Sequence, residues 1–177
     1  MVMARSPGHS GAMGPTRIEP ADGQESVWDY PRPPVIVPDG RLVEVRFAGA
    51  VVARTTAACR VLETSQAPAW YLPPEDVDTG LLVLSAHRPT FCEWKGVAGY
   101  HDIVVGDHVA TAAAWTYDSP TPPFSSITGW FAFYCGRVDQ CSVAGVVVSP
   151  NDGDFYGGWI TPDVVGPFKG ASGTSGW

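Results

Sequence analysis

Short runs of alternating apolar and polar residues dominate the chain. In residues 42–47 every second position is apolar, so one side of an extended strand would be buried and the other exposed. The dipeptide at 48–49 is Ala-Gly, which predicts a tight turn into a second strand at 50–53. Residues 101–105 and 108–112 repeat this arrangement around a Gly-Asp turn. We therefore predict two β-hairpins.

The rest of the chain also favours strands over helices. Further strands are predicted at 130–134 and 143–148, whereas the run 56–63 is too short to distinguish a strand from one or two helical turns. Seventeen prolines and twenty glycines interrupt nearly every window, which disfavours long helices. Single helical turns are predicted at 73–76 and 123–126, because proline suits the first helical position. The predicted fold class is mainly β, a compact domain of hairpins with at most short helical turns.

Composition divides the chain into three parts. Residues 1–24 are rich in Gly, Pro, Ser and Ala without an apolar period, and we expect a disordered leader. Residues 25–170 form the predicted β domain, since a chain of 177 residues fits one domain of ordinary size. Residues 171–177 are a small-residue tail that we expect to be flexible, with Trp177 as its only anchor.

Charge and hydropathy narrow the classes of partner. The formal net charge of −7 argues against a surface that binds the phosphate backbone, so no nucleic acid is expected. No apolar run approaches the roughly 18 residues of a membrane span, and no membrane partner is expected. The first 22 residues lack the continuous apolar run of a secretory signal, which predicts a cytoplasmic protein. The expected partner is a small-molecule ligand or substrate, and the oligomeric state stays open.

The four cysteines do not predict a metal site. None of them belongs to a C-x-x-C pair, and the two nearest, Cys135 and Cys141, have five residues between them. Structural zinc sites present closely paired ligands, so none of these cysteines is assigned to a metal. Without a secretion signal a disulfide framework is not expected either.

Residues 85–101 concentrate the groups that could perform chemistry. Cys92 is a candidate nucleophile, which would need a nearby cation or base to lower its pKa. His101 and His87 are candidate bases near neutral pH, and Lys95 is the candidate cation. In a regular strand, however, Lys95 would lie on the opposite side from Cys92. The alternative is that Cys92 is a small buried apolar residue and the histidines are ordinary hydrogen-bonding groups.

A second candidate group lies at 60–63. Glu63 follows an apolar pair and could serve as an acid in a pocket or as a partner of Lys95. Arg60 lies three residues earlier, a spacing that permits an ion pair in a helical turn. The alternative is a solvated surface charge or a purely structural ion pair.

Aromatic residues are abundant and suit a pocket for a flat or cyclic ligand. Tryptophan and tyrosine combine an apolar ring with a polar group. Trp94, Tyr100, Trp115 and Tyr117 are the candidates for ligand contact. Cross-strand packing in a small β domain explains such residues equally well. The segment 156–159, Tyr-Gly-Gly-Trp, would let the backbone approach either a ligand or another strand closely.

Several motifs together resemble the DUF427 family of uncharacterised bacterial proteins, over residues 26–170. The motifs are VWDYPRPP at 27–34, RVLET at 60–64, CEWKG at 92–96, AAWTY at 113–117 and FYGGWI at 155–160. Residues 155–170 resemble the C-terminal extension of actinobacterial members. The chain departs from the family pattern at Glu93, where proline is usual, and at 135–141, where the family has a more acidic segment.

The resemblance implies a compact, mainly β fold of the tent-like kind shared with Mss4-type domains. Unlike the zinc-carrying members of that architecture, the chain has no paired C-x-x-C ligands. The nucleotidyltransferase label that the family sometimes bears has no support in the motifs: there is no Gly-Ser motif followed by an Asp-x-Asp pair, and no phosphate-binding Gly-rich loop. No cofactor is assigned.

Two functional hypotheses remain. In the first, the protein is an enzyme acting on a small organic molecule in a β-walled pocket centred on residues 92–95. Cys92 would be the nucleophile or acid, and Glu63 or His101 would move protons. Lys95 and Arg60 would hold a carboxylate or phosphate. In the second, the same pocket binds a small ligand without catalysis.

Overall fold

The structure is a computed structural model that describes residues 15–153 and 155–177, and it is mainly β. The strands are β1 Glu25–Ser26, β2 Val35–Asp39, β3 Val43–Phe47, β4 Ala50–Thr55, β5 Ala58–Leu62, β6 Ala69–Tyr71, β7 Leu82–Leu84, β8 Thr90–Cys92, β9 Gly96–Val105, β10 His108–Thr116, β11 Ala132–Phe133, β12 Gln140–Val143, β13 Val146–Val147, β14 Ser149–Pro150, β15 Trp159–Ile160 and β16 Val164–Val165. Helical structure in these ranges is confined to 3-10 segments at Val27–Asp29, Pro74–Asp76, Thr79–Leu81, Pro122–Ile127 and Cys135–Arg137.

The strands form several small sheets. The largest has the order β11-β10-β9-β7, and β8 pairs with another stretch of β9. A second sheet has the order β13-β12-β3-β4, and a third has the order β2-β5-β6. Two further pairs, parallel β1–β16 and antiparallel β14–β15, bring segments distant in sequence together. None of the sheets in the described part closes into a barrel.

Both hairpins predicted from the alternation are confirmed. Strands β3 and β4 pair antiparallel around Ala48 and Gly49, and β9 and β10 pair around the Gly-Asp turn. The ambiguous run 56–63 forms strand β5, which lies between β2 and β6. The segment 143–148 is not one strand, because a turn at 144–145 folds it into the pair β12 and β13.

Two apolar clusters account for most of the buried core. In the first, the Trp70 and Trp159 rings stack 6.0 Å apart, and Trp159 Nε1 donates a 2.8 Å hydrogen bond to the carbonyl of Phe133. A stacked pair of this kind contributes about 0.5–1.5 kcal/mol beyond the burial of its area. The second cluster, which underlies the candidate site, includes Cys59, Val61, Tyr71, Ala98, Tyr100, Trp115, Tyr117 and Phe124.

The ends of the domain are held by specific contacts. Of the leader predicted over 1–24, residues 1–14 lie outside the described residues, whereas Ile18 N donates to the carbonyl of Gly166 and Gln24 Nε2 to that of Pro162. In the tail, the Trp177 ring lies 5.7 Å from the ring of Trp28. Within 15–153 and 155–177, no helix has the length and apolarity needed to cross a membrane.

Candidate functional site

A cavity of about 370 Å³ opens beside the second apolar cluster. Its walls come from β6, β8, β9 and β10 and from the loops after β5, β8, β10, β11, β14 and β16. This volume is at the lower end of the range typical of small-molecule sites. The polar and aromatic side chains that line it are Glu63, Gln66, Tyr71, Thr90, Phe91, Cys92, Glu93, Trp94, Lys95, Tyr100, Trp115, Tyr117, Tyr134, Phe155, Tyr156 and Lys169.

A tight hairpin turn brings Lys95 to the same cavity as Cys92. Strand β8 ends at Cys92, which pairs with Gly96 at the start of β9, so that residues 93–95 form a three-residue turn. Gly96 has a φ of +98°, which favours glycine at this position. The side-chain alternation of an extended strand therefore stops at Cys92, and Lys95 is not on an opposite face.

Lys95 is buried without a carboxylate partner. Its exposed fraction is 9%, and its Nζ lies 5.8 Å from the ring centres of both Tyr117 and Phe124. No ion pair joins it to a carboxylate within 4 Å among the residues that the structure describes. A buried ammonium is costly unless it is paired, and aromatic faces compensate only part of that cost. The cavity thus contains a lysine ammonium that is not in direct contact with a carboxylate of the described residues.

Tyrosines make up much of the wall of the same cavity. Five of the six tyrosines of the chain line the cavity. Burial raises the pKa of Tyr71 and of Tyr117 far above its ordinary range. Both phenols are therefore neutral near pH 7 and keep an O–H that is available as a hydrogen-bond donor. Tyr100 joins them through a 2.7 Å hydrogen bond between its hydroxyl and that of Thr90.

Cys92 belongs to the same polar group. Burial is the main cause of the raised pKa of the Tyr117 phenol, and the interaction with Cys92 adds to it. The Cys92 side chain is half-buried and carries a free thiol. Trp94, two residues after Cys92, packs against the second apolar cluster. In the same cluster, Trp115 Nε1 donates a 3.3 Å hydrogen bond to the Tyr71 hydroxyl.

Glu63 also lines the cavity, as a nearly buried carboxylate. Its side chain is 11% exposed, and the nearest cation, Arg32 Nη2, lies 3.5 Å from Oε1. That distance is longer than a normal hydrogen bond. Arg32 Nη2 donates its hydrogen bond to the carbonyl of Thr64, at 3.1 Å. Glu63 could accept a hydrogen bond from a donor group of a ligand.

Arg60 does not line the cavity. Strand alternation directs it away from Cys59 and Val61, whose side chains belong to the cluster beneath the site. Its guanidinium is paired with Glu25 and lies 3.1 Å from Asp39 Oδ2. These contacts tie β5 to β1 and β2.

His101 also lies away from the cavity, on the other face of β9 from Tyr100. Its ring makes an edge contact with Phe131, with centroids 5.3 Å apart. Its Nδ1 is buried and has no hydrogen-bond partner among the described residues. Desolvation lowers the pKa of His101, and the nearby Asp118 and Asp102 oppose this only in part. His87, the other candidate base, packs on the outside of the Tyr100 ring at 4.5 Å.

Several cavity residues were not among the sequence candidates. These are Tyr71, Tyr134 and Lys169, whereas Tyr156, Gly157 and Gly158 belong to the segment singled out in the sequence for a close approach to a ligand or a strand. The glycine pair serves packing against protein atoms: a Cβ on Gly157 would lie 2.6 Å from Cζ3 of Trp115, and one on Gly158 would lie 2.8 Å from Cβ of Ala67. The sequence did carry one signal for Lys169: the chain has only two lysines, and both line this cavity.

The described residues contain no cluster of three or more His, Cys, Asp or Glu side chains that could hold a metal ion. All four cysteines are free, and burial raises the pKa of Cys59 to about 12 and of Cys135 to about 11. The side chains that line the cavity supply two ammonium groups, several phenols, one thiol and two carboxylates.

Comparison with known proteins gives a family but no characterised relative. The model of the domain of unknown function DUF427 matches residues 35–144, more than half of the chain. The match contains Lys95 and most of the cavity wall, whereas residues 155–158 and Lys169 lie beyond it. No curated protein matches the sequence. The extent of the family match shows that this chain belongs to the DUF427 family.

Proposed function

We propose that the protein binds a small organic anion with a planar ring in the cavity at Lys95. The observation that carries this proposal is the buried Lys95 ammonium, which faces the rings of Tyr117 and Phe124 and no carboxylate within 4 Å among the described residues. A carboxylate or phosphate on the ligand would supply the missing counter-charge.

The aromatic walls support a ring on the same ligand. Trp94, Trp115 and the tyrosines offer flat apolar surfaces, and the neutral phenols offer O–H donors to an anionic oxygen. A cavity of about 370 Å³ accommodates a ring with one acidic substituent. Glu63 adds an acceptor that would select ligands with a hydroxyl or amino group.

The experiment compares benzoate with benzamide, which has nearly the same shape but no charge. We expect benzoate to bind more tightly by isothermal titration calorimetry or by protein-observed NMR. The Lys95→Met variant keeps the length of the side chain and should weaken benzoate binding about 10- to 100-fold, because a charge-assisted hydrogen bond is lost. Its effect on benzamide should be small.

The matched control is Arg54→Met, which removes one positive charge from a side chain that is 61% exposed and outside the cavity. It should leave benzoate binding unchanged. Thermal unfolding of each variant separates a binding defect from a folding defect. Equal affinity of the wild type and a folded Lys95→Met protein for benzoate would refute the proposal.

A second candidate function is catalysis with Cys92 as the nucleophile, favoured by the position of its free, half-buried thiol in the same cavity as Lys95. Peptide mass spectrometry of iodoacetamide-treated folded protein tests it. Rapid alkylation of Cys92 at pH 6–7, with Cys59 and Cys141 slow, would support an activated thiolate. Labelling of Cys92 only after unfolding would remove this candidate and leave the binding function. We also propose the cytoplasm as the compartment, which the four free thiols support.

A further inference from the structure

Lys169 is a second cation in the wall of the cavity that contains Lys95. Its side chain is half-buried, and its Nζ lies 5.7 Å from the centre of the Tyr156 ring, which belongs to the same wall. Nζ donates one hydrogen bond to the carbonyl of Trp177, and an ammonium has three donors. No carboxylate of residues 15–153 or 155–177 lies within 4 Å of it.

The two lysines occupy different parts of the cavity wall. Lys95 comes from the turn before β9, and its Nζ faces the rings of Tyr117 and Phe124. Lys169 comes from the segment after β16, and its Nζ faces the ring of Tyr156. The two ammonium groups share none of these rings. A ligand that contacts both lysines therefore needs two anionic groups.

A row of aromatic side chains in the same wall connects the surroundings of the two lysines. Ring centres of successive members lie 4.6 to 6.4 Å apart in the order Tyr117, Tyr71, Trp115 and Tyr134. The Tyr134 hydroxyl then donates a 3.2 Å hydrogen bond to the carbonyl of Phe155, whose ring lies 5.0 Å from that of Tyr156. Flat apolar surfaces of this kind favour an aromatic body between the two charges of a ligand.

The two carboxylates of the cavity wall do not favour a cation on the ligand. Glu63 has a cation of the protein close by, with Arg32 Nη2 at 3.5 Å from Oε1. Glu93 is exposed and is therefore hydrated. An ammonium on the ligand would be repelled by both lysines. The second polar group of a ligand that fits this cavity is thus an anion.

We infer that the cavity selects an aromatic diacid, a ring system with one acidic group at Lys95 and the other at Lys169. This inference rests on the proposed function, which supplies the first of the two contacts. It adds the substrate class, because a ring with a single acidic group would leave Lys169 without a counter-charge.

Isothermal titration calorimetry with terephthalate and with 2,6-naphthalenedicarboxylate tests the inference. The matched control for each diacid is its monomethyl ester, which has the same ring system and one negative charge fewer. At least one diacid should bind about 10-fold more tightly than its monoester, the gain of one charge-assisted hydrogen bond. For both diacids, a gain no larger than the roughly twofold statistical advantage of a symmetric ligand would overturn the inference. Tighter binding of 4-(aminomethyl)benzoate than of either diacid would also overturn it, because the second group would then be a cation.

Substitutions of Lys169 show whether this lysine supplies the gain. Lys169→Met should remove the advantage of the diacid and leave the affinity for the monoester unchanged, whereas Lys169→Arg keeps the charge and should retain most of the advantage. Lys169→Gln keeps a donor without the charge, should behave like Lys169→Met, and replaces it if the methionine variant does not fold. An undiminished advantage of the diacid in a folded Lys169→Met or Lys169→Gln protein would overturn the inference.

Benzoate separates this inference from the proposed function. Benzoate binding that depends on Lys95, together with no advantage for either diacid, would overturn the selection of a diacid alone. Benzoate binding that a folded Lys95→Met protein retains in full would refute the proposed function, and with it the diacid site.

Discussion

At the scale of single residues, the site is defined by the positions of the lysines and tyrosines. Both lysines of the chain line one cavity, and so do five of its six tyrosines. Lys95 is buried among rings rather than ion pairs, in contrast to the buried Arg60, which is paired with two carboxylates. A paired charge has its counter-charge within the protein, whereas an unpaired one is available to a ligand.

Gly157 allows the first test at this scale. A Cβ at this position would lie 2.6 Å from Cζ3 of Trp115, in the wall of the cavity. We expect Gly157→Ala to lower the free energy of unfolding by about 1–3 kcal/mol, because the Trp115 ring must move in a packed environment. Urea denaturation measures this change.

Gly99→Ala is the matched control for that substitution. Gly99 lies in β9, and a Cβ there would have no heavy atom within 4 Å. It should be neutral or slightly stabilising, since alanine reduces the conformational freedom of the unfolded chain. Equal free energies of unfolding for the two alanine variants would contradict the close approach of Gly157 to Trp115.

At the scale of elements, two hairpin turns of the same type contain a residue that can be replaced to stabilise the fold. Ala48 and Ala144 have φ values of 47° and 50°, and each precedes a glycine that also has positive φ. Two successive left-handed residues define a type I′ turn, which favours Asn-Gly over Ala-Gly. We expect Ala48→Asn and Ala144→Asn each to raise the free energy of unfolding by about 0.5–1 kcal/mol. Differential scanning calorimetry should show a higher Tm for both.

Ala86→Asn provides the comparison, since Ala86 is exposed and does not have a positive φ. It should change the Tm little. A decrease in Tm for both turn variants would show that the alanine methyl groups matter more than the backbone conformation.

Local patterns predicted the elements better than the site. Alternation over 42–53 identified the first hairpin, because the polar and apolar faces of its strands differ clearly. Alternation at 92–95 was misleading for Lys95, because a three-residue turn begins after Cys92. The positions of Arg60 and His101 depend on which sheet packs behind each strand, and spacing along the chain carries no information about that. Residues 155–158 reach the cavity through long-range contacts, which are equally hidden in the sequence.

At the scale of the whole molecule, the burial of tyrosine phenols and a cysteine thiol predicts that the fold loses stability at alkaline pH. Burial raises the pKa of the phenols of Tyr30, Tyr71 and Tyr117 above the ordinary value near 10, and raises the pKa of the Cys59 thiol to about 12. A raised folded-state pKa means that the fold favours the protonated form. The stability from each group is complete below its unfolded pKa and is lost as the pH rises above it.

We therefore expect the free energy of unfolding to fall from about pH 9 upward, first through the thiols and above pH 10 also through the phenols. Urea denaturation at several pH values measures the fall, and absorbance at 295 nm follows the phenols. Tyr117→Phe should reduce the loss above pH 10 and leave the loss near pH 9 unchanged. Ionisation of all six tyrosines near pH 10 in the folded protein would contradict this account.

The central claim is that an anion binds at Lys95, and a titration of the lysine side chains tests it most directly. With only two lysines, protein labelled with [13Cε]lysine gives two resolvable side-chain signals, assigned with Lys95→Met and Lys169→Met. Lys169 serves as an internal reference, because its Nζ already donates a 2.9 Å hydrogen bond to the carbonyl of Trp177. Benzoate should shift the Lys95 signal in a saturable manner, with a smaller effect on Lys169, whereas benzamide should not. A Lys95 signal that stays in place at saturating benzoate would contradict the proposed function.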